Sequence, residues 1–450
     1  MRKRIWATGA SLLVLAASPA QAFQLFQDDT AEINLEVDLG GGVFFSDDDY
    51  TGQGRDEVNW TEGFGEVRLN GAYDLGGGLE VYGQFSGMGT FTEGDGDPGG
   101  FTTGDEGRVA LEDAFAGFRS GPTLGGAVES VDISVGSQHF MIGDGWLIGG
   151  DNVNTGEGLG SDLDRGGAFW LAPRTAFRKT AIAKVETATP LRGDVFFLGS
   201  ENEIQADTDL VGVNAEYVDP DLGTLGAYYM RIFDVDERVL GGFRNNRDNL
   251  NTISVRGQGS LGIENAFFST EATLQRGDPD AGTGTSDVEA HAWYVEAGYQ
   301  FADLPLAPQL TYRFSSFSGD DPDTSENEAF DPLFYGWGRG YGTWFQGEVA
   351  GNFTGPFNTN ANIHHGGLYL HPSETVRLGA LYFDFTNRET AQGVSKNFAR
   401  ELDIFAEWAV SDNLFLSPVY AFFDPKDGLE QTFGTGETNH YFQLIAVANF

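Results

Sequence analysis

Residues 401–408 read ELDIFAEW. In an extended chain successive side chains alternate, so Glu401, Asp403 and Glu407 share one face while Leu402, Ile404, Ala406 and Trp408 share the other. A helix would scatter both sets around its circumference. The same alternation recurs in EVRLN (66–70), VDISV (131–135) and LTYRFS (310–315). Charge on one face and oil on the other is the pattern of a barrel strand with lipid outside and water inside.

Applied along the chain, this rule gives eighteen spans, from 32–45 and 59–74, through 129–141, 168–188 and 223–235, to 412–424 and 438–450. The expected fold class is all-β: a transmembrane antiparallel β-barrel of about 18 strands with long external loops. Tight turns such as DLGG, DPDLG, ADLP and HPSE alternate with long acidic stretches such as SGDDPDTSENEAFD (318–331). Gly, Asp, Asn and Pro make those stretches loops for reasons of backbone geometry. The segment YGTWFQGEVAGNFT (341–354) looks strand-like, but a nineteenth wall strand would put residue 450 on the wrong side of the membrane. Parity therefore makes 319–357 one long external loop, expected to fold into the barrel mouth because of its many aromatics.

The ends agree with this reading. Arg2, Lys3 and Arg4 precede an apolar run and the triplet Ala20-Gln21-Ala22, so residues 1–22 are expected to be a secretory signal peptide and 23–450 the barrel. NHYFQLIAVANF (439–450) alternates to a terminal Phe450, which resembles the signal by which outer-membrane barrels are recognised by their assembly machinery. No other stretch reaches the roughly 18 consecutive apolar residues of a membrane helix. There is no cysteine, hence no disulfide framework, and the formal net charge of −41 argues against nucleic-acid binding. A soluble periplasmic propeller or sandwich would also show short strands and Gly-rich turns, but not this asymmetry of loops.

Enzyme signatures of the G-x-S-x-G, H-E-x-x-H and phosphate-loop kinds are missing from the sequence. His364 and His365 are adjacent and fall on opposite faces of a strand, so they do not chelate together. The acidic run Asp47-Asp48-Asp49, with Asp95 and Asp97, lacks the spacing of a calcium loop and reads more simply as solvated charge. No cofactor is expected.

Function is then sought in the inward side chains. Arg68, Arg108, Arg178, Lys184, Arg231, Arg256, Arg313 and Arg377 are placed on inward positions by period-2 counting and suggest a basic ladder for an anionic solute. The plainer reading is cross-strand neutralisation, for which Glu66, Asp132, Glu186, Glu401, Asp403 and Glu407 are available.

Several stretches resemble the alginate-export family of bacterial outer-membrane proteins: VGSQHFMIGDG (135–145), KNFARELDIFAEW (396–408), ENEAFDPLFYGWGRG (326–340) and the strand around Arg68. The resemblance implies an eighteen-stranded barrel in the bacterial outer membrane carrying an anionic polysaccharide, with Arg68 in the conduit and periplasmic polysaccharide-export proteins as partners beside outer-membrane lipid and lipopolysaccharide. Departures stand beside it: Ser137 replaces the arginine of the family's Gly-Arg-Gln pattern, Glu112 stands where a basic residue is expected, and 412–424 lacks paired arginines. The leading expectation is a non-enzymatic channel for an anionic or sugar-derived solute, with loop 326–345 as gate and Arg339, Trp337 and Trp344 as its contacts. The alternatives are an uptake porin for oligosaccharides or small ions, and an outer-membrane hydrolase, for which no spacing speaks.

Overall fold

A computed structural model describes residues 23–50, 54–121, 128–236, 247–278, 287–336, 346–354, 358–434 and 436–450. The signal peptide expectation, and the expected gate contacts Trp337, Arg339 and Trp344, lie outside these residues. Nineteen strands among the described residues join one antiparallel sheet. The first, β1 (Phe23–Gln27), is short; the wall begins with β2 (Ala31–Asp48), β3 (Asp56–Gly76), β4 (Leu79–Gly94), β5 (Asp105–Ser120) and β6 (Val128–Gln138). It continues through β7 (Phe177–Thr187), β8 (Leu191–Gly199), β9 (Asp209–Asp219), β10 (Gly223–Asp234), β11 (Asn251–Gly259) and β12 (Ala266–Gly277). It ends with β13 (Val288–Gln300), β14 (Gln309–Phe317), β15 (Ala361–Leu370), β16 (Val376–Asn387), β17 (Asn397–Ala409), β18 (Leu414–Pro425) and β19 (Asn439–Asn449).

Each wall strand pairs with its sequence neighbour, and β19 closes on β2 with Tyr441 opposite Ser46 and Asn449 opposite Asp38. The eighteen expected spans are thus β2 to β19, which pair around a closed barrel, as lipid requires of a spanning sheet. On β17 the opening stretch behaves as its alternation dictates. Glu401, Asp403, Phe405 and Glu407 are buried inward, while Leu402, Ile404 and Trp408 are exposed on the outer face. No helix among the described residues is long and apolar enough to cross a membrane.

Strand β1 was not foreseen. The residue Phe450 exchanges two backbone hydrogen bonds with Val37, both 2.9 Å, and there β19 stops. Below that point the edge of β2 is taken over by β1, with Phe23 opposite Leu35 and Gln27 opposite Glu32. The overhang of a staggered barrel would otherwise leave bare N–H and C=O groups, and β1 covers them.

A second overhang lies at the other end of the long panel β2 to β5. Only Ala114 to Ser120 of β5 pair with β6, so residues 105–113 present a free edge. Side chains cap it: Ser137 donates to the Glu112 carbonyl at 2.7 Å, Arg178 to that of Leu111 at 3.4 Å and Arg174 to that of Arg108 at 3.3 Å. Ser137 therefore finishes a sheet edge.

The hydrophobic core lies inside the barrel. The sequence reading began a strand at 168, but β7 starts at Phe177 and residues 139–176 turn into the lumen. They meet residues 318–336, which also fold inward. Trp146 packs on Tyr294, Phe317 and Phe330, and Phe334 meets Phe177 edge-on at 4.9 Å. Inward wall residues Phe44, Trp60, Phe196, Met230 and Tyr441 belong to the same buried cluster. Burying this much aromatic surface at the external half is what holds two long loops inside the barrel.

Candidate functional site

The two inward loops are stitched to each other by backbone bonds. Gly149 donates to the Phe334 carbonyl at 2.7 Å, Phe334 to Leu147 at 3.0 Å and Gly336 to Gly145 at 2.7 Å. Glycine is needed at this crossing, since a Cβ on Gly149 would sit 2.4 Å from Gly336 Cα.

Both loops hang from wall carboxylates. Glu62 accepts the N–H groups of Trp170 at 3.2 Å and Leu171 at 2.9 Å. Glu112 accepts Thr175 at 2.7 Å and Ala176 at 2.9 Å, with the Arg174 guanidinium at 3.4 Å. Glu401 accepts three: Glu348 at 2.7 Å, Val349 at 2.9 Å and Ala350 at 2.6 Å, where the short helix α1 (Ala350–Thr354) begins. All three glutamates are buried. The described part of 341–354 is therefore no wall strand but a segment suspended from one. A further clasp comes from Arg247, fully buried, which holds Asp331 through two nitrogens at 2.6 and 2.8 Å and also donates to Gln205 and to the Leu333 carbonyl.

Below the loops the wall carries most of the expected ladder, in pairs. Arg68 is bound by Glu36 at 2.9 Å, Glu66 at 3.2 Å and Asp38. Glu216 holds both Arg192 and Arg256. Arg313 lies 3.8 Å from Glu296 and donates to Gln346 at 3.2 Å. Arg377 forks onto Glu407, one arm at 2.6 Å, with the Tyr369 ring beneath it. Arg178 pairs with Glu201 at 3.3 Å as well as capping β5. Of the carboxylates expected to neutralise the ladder, Glu66 and Glu407 do so, whereas Glu401 is taken by loop amides and Asp132 by the Tyr82 hydroxyl.

Two cations differ. Among the described residues Arg108 has no carboxylate partner and donates to the Asp164 carbonyl at 2.9 Å. Among the described residues Lys184 forms no ion pair, and it sits 5.9 Å over the Phe140 ring. Its register neighbours are Asp132 and Asp194, but Tyr82 donates to the first and Asn214 to the second.

Arg231 requires a correction. On β10 the buried, inward residues are Tyr228, Met230 and Ile232, and Arg231 stands with exposed Tyr229 and Phe233 on the outer face. Its guanidinium donates to Asn249 at 3.1 Å. It is no rung of the lumen. The histidines do divide: His365 stacks inward on Phe383 at 4.5 Å, while His364 lies outward, 2.7 Å from the Tyr312 hydroxyl. No group of three or more metal-ligating side chains forms among the described residues.

What sequence reasoning missed is the anchoring glutamates and the loop 139–176. The signal was present in part, because Glu62, Glu112 and Glu401 are acidic residues amid apolar neighbours in strands, where a carboxylate needs donors to be buried.

Comparison with known proteins returns the same architecture. The OccK5 (OpdH) structure from Pseudomonas aeruginosa matches with a TM-score of 0.56 at 12% identity, over 92% of this chain and 98% of that one. OccAB2 from Acinetobacter baumannii gives 0.60 at 12% over 94% and 98%. A BenF-like porin from Pseudomonas fluorescens Pf-5 gives 0.58 at 11% over 94% and 99%. At such identities the likeness is one of fold. Among curated proteins, none matches the sequence. The alginate export family model matches residues 88–442. The chain belongs to the alginate export family, and it is a β-barrel channel of the bacterial outer membrane.

Proposed function

We propose that the protein is a passive diffusion channel of the uptake-porin kind, for small hydrophilic solutes that are neutral or cationic rather than polyanionic. The observation that carries this is the pairing of the ladder: the inward arginines Arg68, Arg256, Arg313 and Arg377 are each met by wall carboxylates, while among the described residues Asp113, Asp132 and Asp194 take their hydrogen bonds from neutral donors, including Gln84, Tyr82 and Asn214. A lumen with spare carboxylates attracts cations and repels a polyanion, and a low-dielectric wall focuses the effect. The two loops that fill the external half also favour small solutes over a polymer.

Family membership favours the other reading, export of an anionic polysaccharide. Lys184 and Arg108 are the cations that would serve it, beside Arg339, Trp337 and Trp344 of the expected gate. The reversal potential of single channels under a potassium chloride gradient decides. Cation preference, with liposome swelling in a neutral disaccharide faster than in a uronate disaccharide, is the expected result. Anion preference, or swelling faster in the uronate, overturns the proposal.

A further inference from the structure

The misplaced arginine leads to a second surface. On the outer face, direct cross-strand neighbours form a polar row: Arg231 of β10 stands opposite Asn251 of β11, Asn251 opposite Arg276 of β12, and Arg276 opposite Glu289 of β13. All of it lies at the external ends of these strands. Beneath the row the outer face is apolar, with Ile253, Val255, Leu274, Trp293 and Val295 exposed. Ionised groups do not lie in the hydrocarbon layer unpaired, so the row marks where that layer ends and headgroups begin.

Among the described residues the row is poorly satisfied. Among the described residues Arg231 has one bond, to the neutral Asn249 side chain at 3.1 Å. Arg276 donates to the carbonyls of Gln275 at 2.8 Å and Ala290 at 3.4 Å, and reaches Glu289 only at 3.8 Å, both side chains about half exposed. Elsewhere on the outer face the comparable arginine is consumed: Arg400 of β17 is bound to Asp384 at 2.8 Å. The aromatic residues Tyr229 and Phe233 bracket Arg231 on its own strand, and both are exposed. Two strand spacings separate Arg231 from Arg276, roughly 10 Å.

We propose that Arg231 and Arg276 form a docking surface for the phosphorylated headgroup of an outer-leaflet lipid. The argument is charge complementarity at a fixed depth. A chain with only 26 lysines and arginines among 450 residues, and a net charge of −41, repels anionic headgroups nearly everywhere. It nevertheless places two incompletely paired guanidinium groups on the lipid side, at the level of the phosphates. Guanidinium matches phosphate oxygens in geometry and charge, and the flanking rings supply the apolar contact that suits a position between acyl chains and headgroup.

The test uses the full barrel in detergent micelles, titrated with lipid A and with its dephosphorylated form, binding being read by native mass spectrometry. The wild-type protein is expected to retain the phosphorylated lipid more strongly, and R231Q/R276Q to lose on the order of tenfold of that affinity, as two surface arginines warrant. R400Q, in an already paired position, is expected to behave as wild type, and R231K/R276K to recover part of the loss. Single-channel conductance and the heat-modifiable gel shift of R231Q/R276Q should match wild type. Equal retention of the two lipids by the wild-type barrel overturns the proposal whether or not the variant assembles, and so does undiminished binding by an assembled R231Q/R276Q.

Discussion

Glu401 and Glu407 stand six residues apart on the same strand and the same inward face, yet they hold different things. The first accepts three backbone amides of residues 348–350, and the second is gripped by the Arg377 guanidinium. The division extends around the barrel: Glu62 and Glu112 also hold loops, whereas Glu216 and Glu296 also hold arginines. A buried carboxylate needs donors, and in the external half the donors are loop amides while lower down they are side chains. Acidity on the lumen face therefore does two jobs, suspending the loops and compensating the wall.

The sharpest way to break the comparison is at the paired end. Arg377→Met leaves Glu407 buried without its partner, and a loss of about 3–5 kcal/mol is expected in urea unfolding from detergent micelles. Arg377→Met/Glu407→Leu removes both charges and should recover most of it. Neither change is expected to alter the loops, so conductance of the assembled channels should stay near wild type.

At the suspended end the expectation reverses. Glu401→Ala removes the acceptor of three amides, a local loss on the order of 3 kcal/mol, and should release residues 346–354 and raise single-channel conductance. If conductance is unchanged while Arg377→Met raises it, the assignment of roles is the wrong way round. A gentler probe is Gly149→Ala, which pushes a methyl against Gly336 at the crossing of the two loops. About 1–3 kcal/mol of overpacking is expected, with noisier open-channel current as its readout.

The smallest effect is confined to one external loop. Asp97, buried and hydrogen-bonded to Gly99 and Thr102, has its carboxyl pushed up to about 6, chiefly by burial. The folded loop binds this proton more tightly than the unfolded chain, whose ordinary value is 3.8. Between about pH 4 and 6 the folded state holds the extra proton, so acidification through that window stabilises the loop and raising the pH weakens it. Amide exchange at residues 95–104, corrected for its intrinsic pH dependence, should slow toward pH 4, and Asp97→Asn should flatten the trend.

How much of this the sequence revealed depends on whether two different media face a strand. Where water lies inside and lipid outside, as at Leu402 to Trp408, alternation is clean and the strand, its facing and the closing of the barrel could be read directly. Where the loops fill the lumen, both faces are apolar and alternation fades. Tyr228, Tyr229, Met230, Ile232 and Phe233 run together on β10, and the lone Arg231 among them was assigned to the only polar face the rule knows. The same loss of contrast hid residues 168–176, whose apolar side chains pack inward as a loop but read as a strand. Strand β1 escaped for another reason: five exposed residues with a bulge between Gln24 and Phe26 carry no period at all. The pairing of the ladder was foreseeable as a type of contact, but which carboxylate each arginine chooses depends on register and loop placement.

The long panel has a consequence for the membrane around it. Strands β2 and β3 run to 18 and 21 residues, while β8 and β11 have 9. Exposed apolar side chains follow the panel down, among them Leu69, Tyr73, Leu75, Val81 and Phe85, with Phe23 and Leu25 on the covering strand. The greasy belt is thus taller on one flank than on the other. A bilayer of even thickness meets such a barrel only if the barrel tilts or the lipid stretches beside the panel, each at a modest cost per ångström of mismatch. The wall's uneven height thus sets a choice between a leaning barrel and lipids strained differently along its two flanks.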